Sequence, residues 1–398
     1  MAAGEPSGVL EVLEREYLSL QGVRIHQMHA MEHRPSMDGA RSEHLRHVSY
    51  FLTPANREAH RSGGCDLVPV DFSRVPRTLL QETRCSLVLT AASPPDDDGW
   101  CTLGTNAEYV AALIGRAPFF LEINEQMPRT AGNHRIRLDD AVGWYAVDRP
   151  LPAVARHAPD DRDLRIADLI AERIPNGATI QLGIGHVPEA LAAALSGHRD
   201  LGIHSELLSD ATMDLIESGV ANGSRKVLRP GVAVGTFALG SAALYAWMHD
   251  EPRVELHPVD WVNDPRVIAQ ERCMVSVNAT TEVDLHGQCA SETVAGRYWS
   301  GSGGQADFAR GAQWSPEGEA FVALRSTTSR GRSRIRAALT EGSVVTTSKN
   351  VVDHIVTEHG VASMEGRTIA QRVKGLIAIA DPAARDELHQ QSRELGLV

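Results

Sequence analysis

The stretch LVPVDFSRVPRTLLQE at residues 67–82 returns as LHPVDWVNDPRVIAQE at residues 256–271. The two align without a gap, 189 residues apart (67 against 256), sharing Leu, Pro, Val, Asp, Pro, Arg, Gln and Glu, with Phe72 opposite Trp261. Just beyond, Gly99-Trp100-Cys101 answers Gly287-Gln288-Cys289 with one residue of slippage. Such a duplication limits the fold, because whatever unit the first half builds, the second half builds again. Apolar runs at 86–90, 119–123, 232–234 and 274–277 predict buried strands, and helical patterns alternate with them. The chain is therefore expected to form two related α/β units with largely parallel, helix-covered sheets.

A length of 398 residues accommodates two such units at roughly 100–200 residues each. Prolines and charges punctuate residues 148–161, which predicts a first domain over 1–150 and a second over 162–398. The run from Ala178 to Gly185 leads into a helix at Pro188, whereas the matching helix at Pro6 has no strand ahead of it. The first unit is thus expected to lack its opening strand, leaving a sheet edge that is either unprotected or covered by an oligomeric partner.

Composition narrows the function. With 39 basic and 51 acidic residues the net charge is −12, which opposes a nucleic-acid partner. A small anionic ligand remains compatible with local helix N-termini. No apolar run reaches the ~20 residues that a membrane span needs. The acidic N-terminus lacks the basic, apolar-cored pattern of an export leader, so a cytoplasmic location is expected. Five scattered cysteines with no C-x-x-C favour a reducing compartment over a disulfide framework or zinc site.

Candidate chemistry centres on Gly202-Ile203-His204-Ser205-Glu206, a short apolar strand ending in a carboxylate. The corresponding stretch of the first half, Ile25-His26-Gln27-Met28, ends in methionine, so only the second half offers a carboxylate there. Strand alternation places His204 and Glu206 on one face, where the imidazole could orient or charge-stabilise the glutamate. The bland alternative is a surface carboxylate at a strand exit. Gln181-Leu-Gly183-Ile184-Gly185-His186-Val187 reads as a strand, a glycine turn and a helix start, equally suited to packing or to ligand binding. The glycine-dense segment 300–308 is either a flexible linker or a backbone nest, and it has neither a P-loop ending nor a G-x-S-x-G elbow. Glu282 and Asp284 alternate onto one strand face, as an acid pair or as carboxylates bonded to backbone. His26, His29 and His33 suggest a metal by count only, and no metal is expected.

These motifs together resemble a known family. S-P-P-D-x-x-G-x-C (93–101), N-E-Q-M-P-R-T (124–130), Q-L-G-I-G (181–185), G-I-H-S-E-x-x-S-D (202–210), H-P-V-D-W-V-N-D-P-R-V-I-A-Q (257–270), G-x-G-G-Q-x-D-F-x-R-G-A (301–312), T-T-S-K-N (346–350) and V-T-E-H-G-V-A (356–362) span nearly the whole chain. They are similar to the acetyl-CoA hydrolase/transferase group of family I CoA-transferases, especially butyrate and 4-hydroxybutyrate CoA-transferases. The resemblance implies two open α/β domains with the active site in the cleft between them. It makes Glu206 the residue that becomes a glutamyl-CoA thioester. It maps CoA contacts onto Gly183, Ile184, Gly185, His186 and Val187, and onto Thr281 and Gly304. Gly303, Gln305 and His204 are auxiliary or oxyanion candidates. His186 departs from the pattern, standing where alanine is usual.

The reaction so implied moves CoA from an acyl-CoA to a short-chain carboxylic acid in ping-pong steps, with no separate cofactor and a homo-oligomeric enzyme. Two rivals share the site: an acyl-CoA hydrolase, if water reaches the thioester, and a degenerate CoA-binding subunit without turnover. A nicotinamide-dependent oxidoreductase is disfavoured by the incomplete glycine fingerprint.

Overall fold

The computed structural model describes residues 3–156 and 158–398. The second half is organised by a six-stranded sheet. Its strands run in the order Gly202–Ile203, Thr179–Gln181, Met274–Ala279, Glu319–Ala323, His354–Thr357 and Gly360–Ser363. All neighbours are parallel except the last pair. Parallel strands need both faces covered, and the central strands here are largely buried, with partly exposed residues at strand ends and in the edge strand Gly360–Ser363. Helices Asp161–Ala171, His186–Ala194, Gln305–Trp314 and Ile369–Ala378 supply cover. The first of these begins at a capping box, where Asp160 accepts from the Asp163 N–H and Asp163 accepts from the Asp160 N–H.

The first half repeats this plan with one difference. Its strands Val23–Gln27, Leu45–Ser49 and Cys65–Leu67 form one parallel sheet, and Val88–Ala92, Phe119–Asn124 and Gly143–Val147 form another. In the second half the strand Thr179–Gln181 lies between the counterparts of Val23–Gln27 and Val88–Ala92. Among the described residues of the first half, residues 4–5 sit between those two strands instead. The Ala91 N–H donates to Gly4 O at 3.3 Å. Glu5, 5% exposed, accepts from Gln27 Nε2, the Met31 N–H and Arg34 Nε. A buried carboxylate with that many donors does a polar version of what a strand does elsewhere.

Both copies of the duplicated segment have one shape. Cys65–Leu67 and Val254–Leu256 are strands that pass through a Pro-Val-Asp turn into short helical turns at Phe72–Arg74 and Val259–Val262. Residues 151–156 and 158–160 carry neither helix nor strand. The halves are nevertheless laced together. Ala131–Gly132, from the first, pairs in parallel with Val254–Leu256, from the second. Gly132 has φ +128, and a Cβ there would overlap Leu256 O, so only glycine lets the two backbones approach this closely. Arg129 and Asp250 form a bidentate ion pair beside this ladder. No described helix is long and apolar enough to cross a membrane.

Candidate active site

The ends of the parallel strands converge, as expected where ligands bind in open α/β sheets. Gly202–Ile203 delivers residues 204–206, Thr179–Gln181 delivers the glycine turn 183–185, and Met274–Ala279 delivers Thr280 and Thr281. Ser205 Oγ donates to Leu182 O at 2.9 Å, tying the first two ends together, and the Gln181 and Asn278 amides tie the second to the third. From beneath, the fully buried Lys226 donates through Nζ to Ile203 O at 2.9 Å and Val232 O at 2.8 Å. A Cβ on Gly202 would overlap the Lys226 stem, which explains the glycine.

Strand pairing runs through His204, which bridges Val234, and stops there. Glu206 occupies a bend between Gly202–Ile203 and Leu207–Leu208, and its carbonyl accepts from the Thr236 and Phe237 N–H groups at 3.0 and 3.2 Å. Its partly exposed side chain receives a 2.6 Å hydrogen bond from Asn263 Nδ2 to Oε2 and a further one from the Gly304 N–H. Burial nevertheless pushes the carboxyl up to about 7. The two hydrogen bonds oppose that shift and the nearby charge of Glu108 adds to it. Glu108 comes from the first half, at φ +38. Its N–H donates to Thr236 O, while Asn106 Nδ2 donates to its Oε1. Both glutamates are therefore hung from Thr236, one on each side of the junction between the halves.

His204 does not play the part expected of it. The ring is fully buried, and its Nε2 hydrogen-bonds Val262 O at 2.8 Å rather than the glutamate. Burial holds its pKa down at about 3, so it is neutral and lends no charge to Glu206. Its influence is indirect: it fixes the carbonyl of the residue preceding Asn263.

The glycine segment is a nest, not a linker. Gly303 takes φ +55, Gly304 caps the helix Gln305–Trp314, and a Cβ on Gly304 would overlap both Glu206 Oε2 and Asn263 Nδ2. Gln305 opens that helix, 8% exposed, with Nε2 unpaired. At the other turn, Gly185 takes φ +111, and Cβ atoms on Gly183 or Gly185 would meet nothing within 4 Å. That leaves open space above a helix N-terminus, flanked by exposed Ile184 and His186 and half-buried Val187. His186 Nδ1 lies 3.1 Å from Ala158 O. Thr281 Oγ1 is engaged with the carbonyls of Ala290 and Thr293 at the mouth of its strand.

Two other candidates dissolve. Glu282 accepts from the Thr340 N–H, Thr340 Oγ1 and Ser343 Oγ and pairs with Arg336. Asp284 accepts from the His286 and Gln288 N–H groups and from Gln288 Nε2. Glu282 ties down the distant 340–343 turn and Asp284 closes its own, so they are not an acid pair. His26 meets the Tyr50 hydroxyl, His33 meets Ala55 O and Asp38, and His29 packs among Phe51, Phe72 and Phe237. No group of three metal-ligating side chains is found among the described residues. The residues beside Glu206 that sequence reasoning missed are Asn263 and Glu108. Asn263 carried a faint signal, since it stands in the duplicated segment where the first copy has Arg74.

An ordered carboxylate thus stands at the junction of two mostly parallel α/β units, beside open glycine turns. Sequence profiles of the acetyl-CoA hydrolase/transferase N-terminal and C-terminal domains match residues 2–149 and 240–392, and the chain belongs to that family. It is 39% identical to succinyl-CoA:cyclohexane-1-carboxylate CoA transferase of Geobacter metallireducens, over 100% of this chain and 91% of that one. It is 38% identical to 4-hydroxybutyrate coenzyme A transferase of Clostridium kluyveri, over 99% and 92%. Among solved structures, RipA from Yersinia pestis superposes with a TM-score of 0.94 at 32% identity, covering 100% of this chain and 93% of that one. The 4-hydroxybutyrate CoA-transferase of Porphyromonas gingivalis gives 0.81 at 32% identity, covering 99% and 92%.

Proposed function

We propose that this chain transfers coenzyme A between an acyl-CoA and a short-chain carboxylic acid through a glutamyl-CoA thioester on Glu206. The observation that carries the reading is the Glu206 carboxylate itself, partly exposed, held by Asn263 and the Gly304 N–H and raised to about 7. A desolvated, basic carboxylate is a better nucleophile than one in water, and at pH 8 it is mostly ionised.

One Glu206 oxygen attacks the thioester carbonyl, and the C–S bond breaks to release CoA thiolate and leave a mixed anhydride. The thiolate then attacks the glutamyl carbonyl carbon. The glutamyl C–O bond breaks, the first acid departs as carboxylate, and the CoA thioester remains on Glu206. An acceptor carboxylate runs both steps in reverse and restores the free glutamate, with no net proton change. The Gly304 backbone packs against the reacting carboxyl group, and its N–H is assigned to the developing oxyanion. The open turn Gly183–Val187 and Thr281 are assigned to the CoA chain, whose remote contacts supply binding energy for the reacting end. The domains at 1–150 and 162–398, a cytoplasmic homo-oligomer and the absence of a separate cofactor complete the proposal.

The test is incubation with acetyl-CoA or butyryl-CoA and intact-mass analysis of the protein. An added CoA that hydroxylamine removes, and that Glu206→Gln lacks, supports the reading. No adduct, with Glu206→Gln as active as wild type, overturns it. Release of free acid and free CoA beyond one equivalent per site, without an acceptor, would instead assign the site to hydrolysis.

A further inference from the structure

The nest that cradles Glu206 is not held by its own half of the chain. Ser302 Oγ donates to Val70 O at 2.8 Å, and the Phe72 N–H donates to Gly303 O at 3.1 Å. Ser73 then makes two bonds to Asp307, from its N–H to Oδ2 at 3.2 Å and from its hydroxyl to Oδ1 at 3.0 Å. All four bonds join residues more than 200 positions apart in the chain. Residues 70–73 are the first copy of the duplicated segment. The second copy, 259–263, supplies Asn263 to the same carboxylate. The twin segments thus act on one glutamate: one grips the carboxylate, and the other grips the loop beside it.

We propose that Ser73 and Asp307 form a positioning pair through which the first half of the chain sets the Gly303–Gly304 backbone against the reacting carboxylate of the second. The inference rests on Glu206 being the nucleophile. Geometry leaves the loop no slack on the other side, because the space a Gly304 Cβ would take is filled by Glu206 and Asn263. Asp307 stands in the first turn of the helix that Gly304 caps, so a pull on its carboxylate is transmitted to the glycine within one turn. Asp307 is only 6% exposed, a costly place for a carboxylate, and Ser73 supplies two donors to it. Burial, with the charge of Asp71 next, pushes its carboxyl well above the usual range. A displacement of the loop by an ångström would separate the Gly304 N–H from the oxygen it serves, and losses of about 100-fold follow from misplacements of that size.

The test compares Ser73→Ala, Ser73→Thr, Asp307→Asn and Glu206→Gln in the full chain, with butyryl-CoA and acetate. Ser73→Ala keeps the backbone bond and should lower kcat about 10-fold, with KM for butyryl-CoA within twofold of wild type. Ser73→Thr keeps the hydroxyl and should recover most of that loss. Asp307→Asn keeps an acceptor for the Ser73 N–H but reverses the bond to the Ser73 hydroxyl, which must then accept from the amide, and should lower kcat by about 10-fold. Normal kcat in Ser73→Ala and Asp307→Asn, while Glu206→Gln is inactive, would overturn the pair and leave the nucleophile in place. The pair is also overturned if kcat, KM and melting temperature worsen together and Ser73→Thr fails to recover activity. Full activity of Glu206→Gln would overturn the nucleophile and the pair with it.

Discussion

Asn263 Nδ2 lies 2.6 Å from Glu206 Oε2, a hydrogen bond between residues 57 positions apart in the chain. The bond favours the ionised carboxylate and works against the burial that raises its pKa. Asn263→Ala removes it. Hydrogen bonds to charged groups contribute about 1.5–3 kcal/mol, so the acid limb of kcat/KM should move upward by about one to two pH units. A pH profile of the variant measures this directly, and an unmoved limb would contradict the role given to Asn263.

The wild-type profile follows from the same group. With the carboxyl at about 7, the reactive anion is the minority below that pH. Activity should fall about tenfold per unit as pH drops from 6 to 5, and should level off above about pH 8. Rates that stay flat from pH 5 to pH 8 would show that Glu206 does not titrate in the rate-limiting step.

Gly304→Ala separates folding from chemistry. The added methyl meets the ends of two side chains, Glu206 and Asn263, rather than backbone, so the fold should survive while the carboxylate is pushed aside. The expected result is a loss of at least about 100-fold in kcat with little change in melting temperature. Retention of full activity would mean that the nest does not touch the reacting group.

Glu206 is also a burden on the native state. Its pKa is about 7 when folded and about 4.3 when unfolded, so the unfolded state is the better acid. Ionisation therefore favours unfolding above about pH 4.3, and this penalty is complete above pH 7. Glu206→Gln removes it. The inactive variant should be more stable than wild type by about 2 kcal/mol at pH 8, and the gain should shrink as pH falls from 7 to 5. Thermal melts at both pH values decide the matter.

The sequence disclosed the duplicated segment, the parallel strands and the glutamate at a strand end, because each leaves a local pattern: shared residues, apolar runs, a carboxylate where the other copy has Met28. What it concealed arises from distant chain segments meeting. Asn263 and Asp307 reach the site only when distant strands of the second half pack, and Ser73 and Glu108 only when the first half docks on it, and nothing in their immediate neighbours announces it. His204 misled for the opposite reason. The ladder runs on through His204, whose ring enters the core and bonds Val262 O, and the backbone bends only at Glu206, which turns its carboxylate away from that ring. Glu282 and Asp284 alternated as anticipated, yet the turns on either side had already claimed both carboxylates.

The parallel pairing of Ala131–Gly132 with Val254–Leu256 has a mechanical corollary. Lobes joined only by a hinge can yawn apart to admit a large guest, but here a backbone ladder and the Arg129–Asp250 clasp rivet one lobe to the other. Any motion that swung the lobes apart would first have to break these two backbone pairings and the ion pair beside them.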